Sequence, residues 1–161
     1  MDRELIYGEI STIGMKQFAN LEPNCNKFMD VGSGYGKFTW VMASFLNATE
    51  AYGIEIDNAK FDIANKHFSG RYNPNCKFKR GDFRDYKNLI KEMDVVFSNC
   101  ITWKLESVQE LIECLSPTCN FYHNNKKYYF DNKTIHEITP LHMQWVNANQ
   151  DYYKLITNFN R

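Results

Sequence analysis

The chain has 161 residues, enough for one domain with a full core and too few for two ordinary ones. Lys plus Arg and Asp plus Glu each number 19, so no bulk charge draws the protein onto nucleic acid or a membrane. No apolar run is long enough to span a bilayer, and MDRELIYGEI is charged where a signal peptide would be apolar.

Five cysteines (Cys25, Cys76, Cys100, Cys114 and Cys119) form no CxxC pair, which points to reduced thiols in an intracellular protein and to no zinc site. With 12 Phe and 10 Tyr, the chain has large groups to bury. Asparagine is abundant beside Lys, Tyr and Ile, the bias of an AT-rich genome.

In chain order, KFMDVG reads as a short buried strand running into a glycine turn. Phe38, Val41, Met42, Phe45 and Leu46 then repeat at helical spacing. EAYGIEID is a second strand, and Asp57 suits the N-cap of a helix carrying Phe61, Ala64 and Phe68. CKFKRGD and MDVVFSN are the third and fourth strands. Val108, Leu111, Ile112 and Leu115 mark a further helix, stopped at Ser116-Pro117. NFYH, TIHEITPLHM and DYYKLITNF supply the later strands, and the polar stretch 124–133, NNKKYYFDNK, reads as a loop. Strands alternating with helices predict a single α/β domain with a mostly parallel sheet and helices on both faces. Where helices stop near the C-terminus, an antiparallel edge is expected.

The turn FMDVGSGYGKF fails the dinucleotide fingerprint, because Lys37 stands where GxGxxG needs its last glycine. Its spacing is Asp30, Gly32, Gly34, Gly36. Glycines let the chain turn sharply and pass close to a ligand. A carboxylate just ahead of them suits an ammonium and repels a phosphate. Glu55 ends the second strand, where an acidic group accepts hydrogen bonds from ribose hydroxyls. Gly81-Asp82-Phe83 follows the third strand; Asp82 can accept from an adenine amino group while Phe83 packs on the ring. Three such elements at successive strand ends read as the S-adenosylmethionine site of a Rossmann-like class I methyltransferase with a seven-stranded sheet. Ser98-Asn99-Cys100-Ile101 contains no proline, unlike the Pro-Pro-aromatic clamp of methylases acting on base amino groups.

Beyond these motifs, the sequence resembles the disruptor-of-telomeric-silencing family of non-SET histone H3 lysine methyltransferases. The matching segments are IYGEIST, FMDVGSGYGKF, YGIEID, RGDF, VVFSNCITW and EITPLHMQW followed by DYY. The resemblance implies that residues 1–20 form a pre-core lid in which Tyr7 and Glu9 close over the cofactor, with 21–161 as the catalytic core. It implies a channel for the target lysine lined by Asn99, Trp145 and Tyr152, Asn99 also bordering the cofactor. Lys37 stands where the family commonly has glutamine, Cys100 replaces an asparagine, and Ile101 and Trp103 replace phenylalanines. The implied partner is histone H3 in the nucleosome, with DNA met through basic side chains such as Lys126, Lys127 and Lys133. A nuclear location follows, or a viral factory if this minimal core is viral. A class I enzyme acting on another protein, an RNA or a small molecule stays open, as does an inactive scaffold; intact Asp30, Glu55 and Asp82 argue against the scaffold. His67, His123, His136 and His142 show no metal-binding spacing and receive no role.

Overall fold

The computed structural model describes residues 10–70, 73–131, 136–143 and 148–156. Helix α1 (Thr12–Leu21) begins at Ser11, whose hydroxyl accepts the Gly14 N–H at 3.1 Å. Strand β1 (Lys27–Val31) leads through the glycine turn into α2 (Lys37–Phe45), and β2 (Glu50–Glu55) leads into α3 (Asn58–Phe68). Asp57 caps α3 by accepting the Lys60 N–H at 3.0 Å. Strand β3 (Cys76–Arg80) is followed by a 3-10 turn (Phe83–Tyr86) and a short α4 (Lys87–Ile90). Then come β4 (Val95–Ser98), α5 (Leu105–Cys114), β5 (Asn120–His123), α6 (Lys126–Asp131), β6 (His136–Met143) and β7 (Ala148–Leu155).

The seven strands lie in the order β3-β2-β1-β4-β5-β7-β6. The first five are parallel, and β7 runs antiparallel to both β5 and β6. Pro140 therefore sits in an edge strand, where its missing N–H breaks no ladder. Strands β1 and β4 are buried on both faces, which explains the apolar run of β4 and leaves Asp30 as a buried acid within β1.

Side-chain alternation sends Phe28, Phe97, Tyr122 and Tyr152 to one face, against α1, α2 and α3. Met29, Val31, Val96 and Phe121 go to the other, against α5 and Ile90. On the first face Phe18 of α1 meets Phe97 and Tyr122 edge-on, with centroids at 5.3 and 4.8 Å. Residues 12–20, grouped in sequence with the lid, thus form a helix that belongs to the core. At the foot of the sheet Glu22 is buried where α1 ends, and accepts from Asn120 Nδ2 at 3.0 Å and the Tyr122 hydroxyl at 2.5 Å.

The stretch 124–133 corrects the loop expectation, since α6 occupies its middle. The Asn125 side chain accepts the Tyr128 N–H at 2.8 Å and so starts the turn, and Tyr128 is buried beneath it. One capping asparagine and one buried ring outweigh the polar composition.

Candidate active site

Strand order reverses between β1 and β4, and the crevice beyond their carboxyl ends is where open α/β sheets bind ligands. The glycine turn rises from β1 on one side of it. Its Gly32 and Ser33 N–H groups both donate to Ile54 O, at 2.8 and 2.9 Å, so the turn is held on β2. Gly32, Gly34 and Gly36 all have positive φ (82, 58 and 91°). A Cβ at Gly36 would lie 2.7 Å from Ala64 Cβ and 2.8 Å from Phe78 Cζ. A Cβ at Gly34 would meet nothing within 4 Å.

Glu55 is buried and bridges the turn to its own strand end. Its Oε1 accepts the Gly34 N–H at 2.7 Å and its Oε2 the Asp57 N–H at 2.8 Å. Asp30 lies beneath the turn, 2% exposed, with Oδ2 accepting the Thr39 hydroxyl at 3.4 Å. Its Oδ1 and the Ser33 hydroxyl are buried without a hydrogen-bond partner. Burial, then the nearby Glu55 charge, pushes the Asp30 carboxyl well above the ordinary carboxylate range. An orphaned buried carboxylate oxygen beside a glycine cradle calls for a cationic donor. Lys37 opens α2 and is exposed.

The third element is more heavily engaged within the protein than its sequence implied. Asp82 caps the 3-10 turn by accepting the Arg84 N–H at 2.9 Å, and both its oxygens lie 3.1 Å from Arg84 Nη1. Arg84 continues to Glu110 and to Ser107 on α5, its guanidinium 4.6 Å from the Phe83 ring centroid. Phe83 is buried and stacks on Trp103, with centroids at 5.5 Å and planes 9° apart. Ile56, next to Glu55 and 67% exposed, adds outward-facing aliphatic surface that the sequence reading passed over.

At the end of β4, Asn99 and Tyr152 meet: the Tyr152 hydroxyl donates to Asn99 Oδ1 at 2.6 Å. Tyr152 is wholly buried, so its hydroxyl acts through Asn99. Burial and then the Asp30 charge raise its phenol far above the usual range, which keeps it neutral. Cys100 is buried as well, its thiol pushed up to about 12, so it is no nucleophile. Asn124 and Asn125, absent from the sequence-derived site, bind this loop. Asn124 Oδ1 accepts the Cys100 N–H and its Nδ2 donates to Asn99 Oδ1, while Asn125 Nδ2 donates to Cys100 O and Trp103 O. Behind them, Asn125 N–H donates to His123 Nδ1, which leaves His123 Nε2–H to face His136 Nε2 at 3.1 Å. Burial lowers the His123 imidazole to about 3, so it stays neutral. Tyr7, Glu9, Trp145 and Lys133 lie outside the described residues.

Residues 23–159 match the family model described as a methyltransferase domain. None of the curated proteins matches the chain. Among solved structures, the chain is similar to an RNA methyltransferase from Salinibacter ruber in complex with S-adenosylhomocysteine: 20% identity, 88% of this chain and 86% of that one covered, TM-score 0.66. An O-methyltransferase from Bacillus cereus, also with the demethylated cofactor, aligns at 13% identity over 92% of this chain and 83% of that one, TM-score 0.70. The tRNA methyltransferase TrmK of B. subtilis aligns at 13% identity over 91% and 65%, TM-score 0.68. These likenesses establish the Rossmann-like fold.

The residues present fit S-adenosylmethionine. Orphaned Asp30 Oδ1 and Ser33 Oγ offer buried polar atoms to its amino-acid end, and the open space at Gly34 lets it pass close to the backbone. Glu55 stands where the ribose hydroxyls would donate.

Proposed function

We propose that this chain, which belongs to the methyltransferase domain family and uses S-adenosylmethionine, methylates a lysine side-chain amine in the globular core of histone H3 within nucleosomes. The observation that carries the reading is the 2.6 Å hydrogen bond between Tyr152 and Asn99. Both belong to the acceptor channel that the disruptor-of-telomeric-silencing resemblance implies, and they come from separate strands of the sheet, the end of β4 and β7.

Bound S-adenosylmethionine supplies an already activated methyl group, so the protein's task is to align the nucleophile and exclude water. A lysine ammonium must first lose a proton, and neutral surroundings favour the free amine by penalising charge. Tyr152 and Asn99 provide such surroundings and no base; the proton leaves to solvent. Asp30, Gly32, Ser33, Gly34 and Glu55 would hold the cofactor, with Lys37 and the 82–83 segment at its flanks; Gly36 serves by closing the turn onto α3. Lys126 and Lys127 on α6 would meet nucleosomal DNA, and this acceptor would place the protein in a nucleus or a viral factory.

An RNA acceptor is the second reading. A groove of about 500 Å³ is lined by residues 101–106 and Lys127, so that Trp103, Lys104 and Lys127 share its walls. A ring with cations suits a nucleotide, and two of the similar structures are RNA methyltransferases. Incubation with radiolabelled S-adenosylmethionine and, in parallel, nucleosomes, free histones and RNA separates the two. Label on nucleosomal H3, abolished in Gly32→Arg and strongly reduced in Asn99→Ala, is the expected result. Label on RNA alone transfers the assignment to the second reading, and failure to bind S-adenosylhomocysteine by calorimetry would defeat both.

A further inference from the structure

A chain of hydrogen bonds runs from the Cys100 backbone to Tyr152, and one backbone amide sets the direction of every link. The Cys100 N–H can only donate, and it donates to Asn124 Oδ1 at 2.8 Å. That identifies the oxygen end of the Asn124 carboxamide, so its Nδ2 faces Asn99, 3.1 Å from Oδ1. An amide nitrogen requires an acceptor there, which fixes Asn99 with its oxygen inward. The Tyr152 hydroxyl, 2.6 Å from the same oxygen, must then donate. Asn124 is 1% exposed and Tyr152 0%, so water does not compete for these positions.

We propose that Asn124 is a positioning residue of methyl transfer: it holds Asn99 with its oxygen closed and its amide N–H groups turned to the cleft. The proposal rests on the cofactor reading and is independent of which acceptor is methylated. An oxygen that accepts from two donors has used both lone pairs. The Asn99 side chain therefore meets its ligand only as a donor, to an oxygen or an unprotonated nitrogen of the cofactor or the acceptor. It does not accept the N–H of a reacting amine. The place is suitable, since the backbone oxygen of Asn99 lies 4.0 Å from where a Gly32 Cβ would stand, which sets the residue alongside the glycine turn. The next residue, Asn125, carries the structural load: its Nδ2 bonds Cys100 O at 2.7 Å and Trp103 O at 3.0 Å, and so keeps the loop in place when Asn124 is altered.

Asn124→Asp tests the proposal, because it keeps an oxygen for the Cys100 N–H and replaces the donor to Asn99 with a second oxygen. Turnover on whichever acceptor takes label is expected to fall about 10- to 100-fold, the range for a misdirected buried hydrogen bond. In an Asn99→Ala background the same change should cost nothing further, since Asn124 acts through Asn99. Asn124→Ala, which deletes the donor without reversing it, should lose less. An acceptor-free measurement uses 15N spectra. The Asn99 side-chain amide signals should shift when S-adenosylhomocysteine is added to the wild type, and should not shift in Asn124→Asp. Equal losses in both backgrounds would make Asn124 merely structural. Unchanged turnover, or Asn99 amide signals indifferent to the ligand in the wild type, would also overturn the proposal.

Discussion

Gly34 and Gly36 have the same backbone handedness and opposite surroundings, so the same substitution should injure different properties. At Gly36 a methyl group would strike Ala64 and Phe78 at under 3 Å, in addition to the left-handed strain. Gly36→Ala is expected to cost about 2–5 kcal/mol in urea denaturation, the sum of overpacking and left-handed backbone terms. Gly34→Ala meets no atom, so only the backbone term of about 1–2 kcal/mol applies to stability. Its main effect should appear as weaker S-adenosylhomocysteine binding by calorimetry, because the added methyl occupies the cleft. Asp30 carries a second contrast between stability and function. Its folded-state pKa is raised above the unfolded value, so its favourable contribution exists at low pH and is lost as pH rises through the folded pKa. Asp30→Asn does not titrate and should therefore unfold at a higher temperature than wild type, by a margin that widens with pH. It should also bind S-adenosylhomocysteine more weakly, having lost the carboxylate that receives the ammonium. A variant no more stable than wild type at neutral pH would show that Asp30 is not penalised by its burial.

Among the elements, what could be read from sequence was what local chemistry dictates. The D-x-G-x-G-x-G turn was legible because positive φ strongly favours glycine, and all three glycines have it. Asp57 declared α3 because a cap acts within one turn. The buried strands were legible from short, mostly apolar stretches, of which VVF in β4 is the clearest. Helix α6 was not, because its two determinants are tertiary: the Asn125 cap owes its orientation to the β4 loop, and Tyr128 is buried against neighbours far away in sequence. Asn124 and Asn125 were invisible for a related reason, since asparagine is common throughout this chain and only the meeting of two loops distinguishes these copies. Asp82 was placed correctly at a strand end, yet nothing local revealed that Arg84 occupies its oxygens. Asn125→Ala should uncouple α6 from the sheet. It removes bonds to Cys100 O, Trp103 O and Tyr128 N, and a loss of about 2–4 kcal/mol is expected at roughly 1 kcal/mol for each. Amide exchange at Tyr128 should accelerate with it; unaltered protection there would mean that α6 is held by its rings alone.

For the whole molecule, a formal net charge of zero limits how a nucleosome could be held. A protein with a large positive charge binds DNA through its overall field; this one would have to rely on where its cations stand. Lys126 and Lys127 are both exposed and both on α6, a helix anchored by Asn125 to the loop that carries Asn99. DNA contact at α6 would therefore be registered rigidly against the acceptor end of the crevice. Each phosphate contact contributes about 0.9 to the slope of log affinity against log salt. The double variant Lys126→Ala/Lys127→Ala should then bind nucleosomes with a slope shallower by about 2, while its affinity for S-adenosylhomocysteine stays at the wild-type value. The measurement is a salt titration of nucleosome binding for both proteins. Parallel slopes would remove α6 from the DNA interface, and shallow slopes for both proteins would weigh against the nucleosome as acceptor; a steep slope on RNA, abolished by the same pair, would weigh for RNA.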